Sequence, residues 1–261
     1  MERLRKEYQE HKIFGQLAEF SDFYKSLSIS TMCFLSQGTK AINLDTYVFS
    51  SIQGTLDSIN EILAKRRIND SYALLRKYYD STIINIYTNL YLSDHFSIEN
   101  FIVEKIDNWR KGTDTIPEYR VISKYIQDSE KLKPITELLR KNKLYKNIRD
   151  RCNDHTHYNY YCNLLLNDGE ICLSNKIKEL DIFSADLTAI FIQHFAYLFY
   201  LNDHYMMSID YVDSLDIGMT PKEGSQYWVA PFIQKIFDKW VKPNRQDIAD
   251  EIKSKTSTTL E

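Results

Sequence analysis

Glycine and proline are scarce in this 261-residue chain, with 7 of the first and 5 of the second. Sandwiches and barrels need frequent turn residues, so the scarcity disfavours an all-β fold and favours long helices. No GxGxxG run and no Walker sequence occurs, which disfavours Rossmann and P-loop chemistry. A Gly-x-Ser-x-Gly elbow, the mark of an α/β-hydrolase nucleophile, is also missing. The four cysteines, Cys33, Cys152, Cys162 and Cys172, form no CxxC pair. With no signal peptide legible in Met1-Glu-Arg-Leu-Arg-Lys6, a reducing cytoplasm is the simplest expectation. Apolar runs such as Ile190–Leu201 are short and broken by Gln193 and His194, which predicts no membrane span. A net charge of −3 gives no single-sign coat for a nucleic acid.

What the chain has is a hydrophobic content of 43%, a charged content of 26% and 19 tyrosines. These suit a folded protein whose aromatic core or interfaces keep polar edges. Apolar residues at helical spacing predict an all-α bundle of roughly nine helices with a C-terminal helical extension. The expected division is 1–44 as N-terminal helices, 45–215 as the bundle and 216–261 as the extension. Asn69 or Asp70 can cap a helix that packs back on its predecessor. Asn167-Asp168-Gly169 is a strong turn signal, so at most a short β-hairpin is expected near 164–174. Ser184 is the expected cap of a long apolar helix, and Thr220-Pro-Lys-Glu223 has the form of a capping box. Pro231 is expected to break or kink the helix that follows.

The densest chemistry lies in Arg149-Asp-Arg-Cys-Asn-Asp-His-Thr-His-Tyr-Asn159. A helix expected over about 144–166 carries this run, with Leu144, Ile148, Cys152, His155, Cys162 and Leu166 as its core stripe. Arg151 and His155 sit four apart on or beside that stripe. Asp150, Asn153 and His157 share the next face, and Asp154 can reach His157 at i, i+3. A carboxylate beside a histidine fixes its tautomer and raises its pKa, as proton transfer requires. Just upstream, Arg140, Lys141, Lys143 and Lys146 form a basic run suited to a phosphate backbone. The plainer reading of such a run is a solvated helix face.

Five residues intervene both between Arg149 and His155 and between Arg151 and His157. This resembles the Arg-x(4–6)-His motif of the HEPN superfamily of small helical-bundle proteins. The resemblance covers about 45–200 and rests on that motif. It implies a metal-independent endoribonuclease of a toxin–antitoxin or antiviral-defence type. Two copies of the motif would face each other across a homodimer, with no cofactor or metal. Arg149 or Arg151 would hold the RNA phosphate, and His155 or His157 would move the proton. Asp150 after Arg149 fits the polar residue the family often has there, whereas Cys152 after Arg151 does not. His157-Tyr-Asn159 resembles what often follows the family histidine, so both pairings stay open, with Asp150, Asn153, Asp154 and Asn159 in support. An antitoxin or a nucleotidyltransferase is the kind of protein partner the resemblance implies.

Two other readings compete. A non-catalytic helical binding or dimerisation module would bury the same polar groups in a satisfied network. A metal-dependent hydrolase would draw on His155, His157, His194 and Asp203-His204, but the Asp154-x-x-His157 unit is not repeated, since Leu201 holds the matching place before His204. Elsewhere, Arg76 and Asp80 suit an i, i+4 ion pair with Asn85 and Asn89 one turn on. Tyr160-Tyr161 suits core or interface packing more than base stacking.

Overall fold

Long stretches that repeat apolar residues every three or four positions become the longest helices of this protein. The computed structural model describes residues 2–32, 34, 38–39, 43–168 and 173–261. In chain order the helices are α1 (Glu2–Gln9), α2 (Lys12–Thr31), α3 (Leu44–Ala64), α4 (Ile68–His95), α5 (Glu104–Lys111) and α6 (Tyr119–Gln127). Then follow α7 (Lys133–Leu139), α8 (Leu144–Thr156), α9 (Tyr161–Leu165), α10 (Leu173–Leu201) and α11 (Asp210–Asp216). The chain closes with α12 (Pro231–Ile236), α13 (Lys242–Asn244) and α14 (Gln246–Lys255). Among the described residues the fold is all-α, and the one β pairing is an isolated bridge between Met207 and Val229. The hairpin expected near 164–174 finds α9 and a turn at its start, while 169–172 lie outside the described residues.

The chain folds as two compact units, each assembled from three stretches of sequence. The first takes residues 1–25, 49–82 and 142–191. Its core stacks Phe20 on Phe191, with centroids 3.9 Å apart, and pairs the Tyr24 and Tyr78 hydroxyls at 3.1 Å. The second takes residues 26–48, 83–141 and 192–261. There Phe195 lies against Phe199 and Phe237, and Arg245 donates to the Leu138 carbonyl at 2.8 Å, tying α14 to α7.

Several helix borders differ from those the sequence predicts, each for a local reason. The helix expected to reach Leu166 stops at Thr156. Asn159 N–H takes the Asp154 carbonyl, Asn163 Nδ2 takes it as well, and Tyr158 turns left-handed at φ 49°. Side chains and a turn thus satisfy the last carbonyl groups that a continuing helix would have used. Ser184 is not a cap, because α10 starts eleven residues earlier and Ser184 Oγ donates to Gln16 Oε1 at 2.6 Å. No α-helix follows Thr220-Pro-Lys-Glu223, where left-handed Gly224 opens a single 3-10 turn at Ser225–Tyr227. Pro231 begins α12 instead of breaking a helix, as a residue without an amide donor can at a first turn.

Within α10, Asn175–Leu201 is long and apolar enough to cross a membrane by length and composition alone. Of an apolar 18-residue stretch within it 78% is already buried in the protein, so most of its apolar surface is used in packing. Cys152 and Cys162 are free thiols, and Cys33 and Cys172 lie outside the described residues.

Candidate functional site

Helix α8 presents its polar residues on two faces of the first unit. On one face Arg149 Nη1 donates to Asp80 Oδ1 at 2.8 Å, while Arg76 Nε donates to Asp80 Oδ2 at 2.9 Å. Arg76 Nη1 also donates to Asn153 Oδ1. The expected Arg76–Asp80 pair is therefore present, and it recruits Arg149 and Asn153 into one network.

On the other face Arg151 Nη1 donates to Asp186 Oδ2 of α10. The ring of His155 lies flat on Tyr72, with centroids 3.8 Å apart and planes 11° from parallel. Asn69 grips the same residue twice. Its Nδ2 donates to the His155 carbonyl at 3.0 Å, and its Oδ1 faces His155 Nδ1 at 2.8 Å. Because Nδ2 is the donor to a carbonyl, Oδ1 must be the acceptor, and the proton of a neutral His155 sits on Nδ1. The remaining nitrogen, Nε2, is 3.8 Å from Glu179 Oε1. That is too long for a hydrogen bond, and the same Glu179 oxygen accepts from the Tyr72 hydroxyl at 2.7 Å.

Burial sets the proton affinities here. It pushes His155 down to about 4, helped by the nearby Arg151 cation and opposed by Asp154. The rise that Asp154 alone would bring to His155 is outweighed by desolvation. Burial also raises Asp186, and the Arg151 hydrogen bond offsets only part of that. Arg151 is driven down by burial but further up by Asp186, so its guanidinium stays charged. The Cys152 thiol, pushed up to about 12 by burial, is no nucleophile at neutral pH.

The remaining candidates are spread out. Asp150 is exposed, and His157 is an exposed C-cap beyond the last helical residue. Asp154, expected to touch His157, accepts instead from Asn159 Nδ2 at 2.7 Å. Arg140 and Lys141 belong to the second unit, Lys143 and Lys146 to the first, and all four are exposed. Lys141 is held 3.3 Å from Asp247. Tyr158, Tyr160, Tyr161 and Leu164 are exposed too, so Tyr160-Tyr161 is not core packing. Among the described residues no three His, Cys, Asp or Glu side chains converge as metal ligands would.

The second unit holds a polar network that the sequence alone does not announce. Asp45, at the start of α3, is buried, and its Oδ1 accepts from Asn85 Nδ2 at 2.7 Å and Asn89 Nδ2 at 2.9 Å. Its Oδ2 accepts from the Tyr205 hydroxyl at 2.8 Å, which in turn accepts from Asn43 Nδ2 at 2.9 Å. Behind Asn85, His194 Nε2 sits 2.9 Å from its Oδ1, and burial drives that histidine down to about 3. Asn202 Nδ2 donates to Asn89 Oδ1 at 2.8 Å. Comparison with protein-family models, curated proteins and solved structures gives no match for this chain.

Proposed function

We propose that this chain is a non-catalytic helical binding and dimerisation module, in which Arg149, Arg151, Asn153 and His155 form a structural framework. The observation that carries this reading is the state of His155. It is 5% exposed, stacked on Tyr72 and tied through Nδ1 to Asn69. A general acid or base must come within hydrogen-bond reach of a substrate atom, and this ring offers a substrate almost no surface. Both arginines nearby already hold carboxylates, Asp80 and Asp186.

What the framework holds out to solvent is the turn after α8, with the exposed rings of Tyr158, Tyr160 and Tyr161 beside Leu164. A left-handed φ at a tyrosine costs energy that a plain connector would avoid. Exposed aromatic and apolar groups suit a protein interface, and a second copy of the chain is the partner inferred. Light scattering after size exclusion tests this with a Tyr160→Ser/Tyr161→Ser double variant. A dimer that weakens at least tenfold supports the reading; a wild-type chain that stays monomeric at all concentrations refutes it.

A second reading keeps the metal-independent endoribonuclease, as the HEPN resemblance implies. One observation favours it in a particular form. Arg151 keeps 36% of its side chain open and His157 is exposed, so this pair, unlike Arg149 and His155, has both members open to solvent. Exposed Lys143 and Lys146 would then guide RNA, and an antitoxin or nucleotidyltransferase would be the further partner. Under this reading Arg151→Ala or His157→Ala lowers RNA cleavage in EDTA by about 100-fold or more. Cleavage that is absent, or unchanged in both variants, removes it.

A further inference from the structure

A cavity of about 280 Å³ opens within the second unit beside the Asp45 network. Its polar wall includes Asp45, Asn89, Asn202 and Tyr205, its apolar wall Leu92 and Phe96. We propose that this cavity binds a small organic cation, a primary amine or guanidine on a short aliphatic stem, with Asp45 as counter-ion. This proposal is independent of how residues 149–157 are read.

Charge is the first argument. The groups that hydrogen-bond to the Asp45 carboxylate are two amides and a phenol, all neutral. Among the described residues no lysine or arginine lines the cavity. Lys131 does bond the lining residue Ser93 at 2.9 Å, but its charge is matched by Asp94 at 2.6 Å. His204 lines the cavity at its exposed side, where burial lowers its pKa against the pull of Asp203. His194, behind Asn85, is kept neutral by burial. A buried carboxylate with no counter-charge is costly, and burial does raise the Asp45 pKa even against its three donors. A cation entering the cavity would relieve that cost, whereas an anion would add like-charge repulsion.

Hydrogen-bond capacity is the second. A carboxylate oxygen takes two donors, and Oδ2 of Asp45 has only the Tyr205 hydroxyl. Asn202 donates its amide nitrogen to Asn89, which leaves its Oδ1 as a further acceptor. Asp45 Oδ2 and Asn202 Oδ1 thus both offer acceptor capacity at the polar end, as suits an ammonium or guanidinium. Leu92, Phe96 and Leu201 supply the surface for a methylene stem. The volume lies just below the usual range for ligand pockets, which sets a limit of a few carbons.

The test is a thermal-shift and calorimetric titration of the full chain with n-butylamine and n-butylguanidine, against n-butanol and butyrate as isosteric controls. Saturable binding of at least one cation, and of neither control, is expected at pH 8. Asp45→Asn should weaken it at least tenfold, and Asn202→Ala should weaken it while leaving the Asp45 donors in place. Binding should also fall on acidification, as Asp45 takes up a proton. Three outcomes overturn the proposal: no saturation up to about 10 mM cation, equal binding of butanol, or unchanged affinity in a folded Asp45→Asn protein. If that variant does not fold, unchanged affinity in Asn202→Ala overturns it equally.

Discussion

The two units treat buried polar groups in opposite ways. In the first, every arginine of the cluster faces a carboxylate, Arg76 and Arg149 on Asp80 and Arg151 on Asp186, and the histidine lies under a tyrosine. In the second, a lone carboxylate is held by neutral donors and adjoins a cavity. The first arrangement matches each arginine with a carboxylate, and the second leaves its carboxylate hydrogen-bonding capacity to spare. Under the two proposals made above, incomplete charge balance is a better guide to a ligand than density of polar residues along the chain, because an unmatched buried group is what a ligand can complete.

Four changes would break or sharpen this contrast. The largest effect is expected from Arg151→Met, which strands Asp186, itself only 5% exposed as a side chain. Unmatched burial of that carboxylate should cost about 3 kcal/mol in urea unfolding. Asp186→Asn in the Arg151→Met background should recover much of it.

His155→Gln comes next. The ring titrates below its usual range, so the unfolded chain binds the extra proton between about pH 6.5 and 4. His155 therefore contributes stability that is present above pH 6.5 and lost as pH falls toward 4. The slope is about 1.4 kcal/mol per pH unit in that window. Asp186, raised by burial, acts in the opposite sense, so the comparison is between wild type and His155→Gln, not of the raw profile. The variant should show a shallower acid loss by chemical denaturation.

Asp45→Asn should be milder, within about 1 kcal/mol of wild type and more stable at neutral pH if anything. Its carboxyl is raised by burial, so ionisation on going above that pKa costs folded-state stability that an amide does not. Stability against pH, with and without the substitution, reads this directly. Smallest of all, Tyr160→Ser/Tyr161→Ser should leave unfolding within about 0.5 kcal/mol, since both rings are exposed, while still changing self-association.

Much of the fold is legible in the residues. Few glycines and prolines mean long helices, Gly112 ends α5 in a left-handed turn, and Pro134 opens α7. What misleads is side-chain chemistry that competes with the backbone. Asp154, Asn159 and Asn163 end α8 early, and Ser184 looks like a cap but reaches across to Gln16. The cluster itself is visible as a motif, but its partners are not. Asn69, Tyr72, Glu179 and Asp186 come from α4 and α10, and only tertiary packing brings them to His155 and Arg151. One signal was available, since Ser184, Asp186, Gln193 and His194 are polar residues within an apolar helix. Such residues need partners, and two of them belong to the two networks. Asp45, in the first turn of α3, is the centre of the second network, a role set by Asn85, Asn89 and Tyr205 from other parts of the chain.

The most direct test of the claim that Arg149, Arg151, Asn153 and His155 are a structural framework is the imidazole titration of His155 by long-range proton–nitrogen NMR. The account predicts a neutral ring protonated on Nδ1 at pH 6.5, with a pKa near 4. A ring that titrates at its ordinary value, about 6.5, or exchanges freely between tautomers, would contradict it and return His155 to the pool of groups able to act on a substrate.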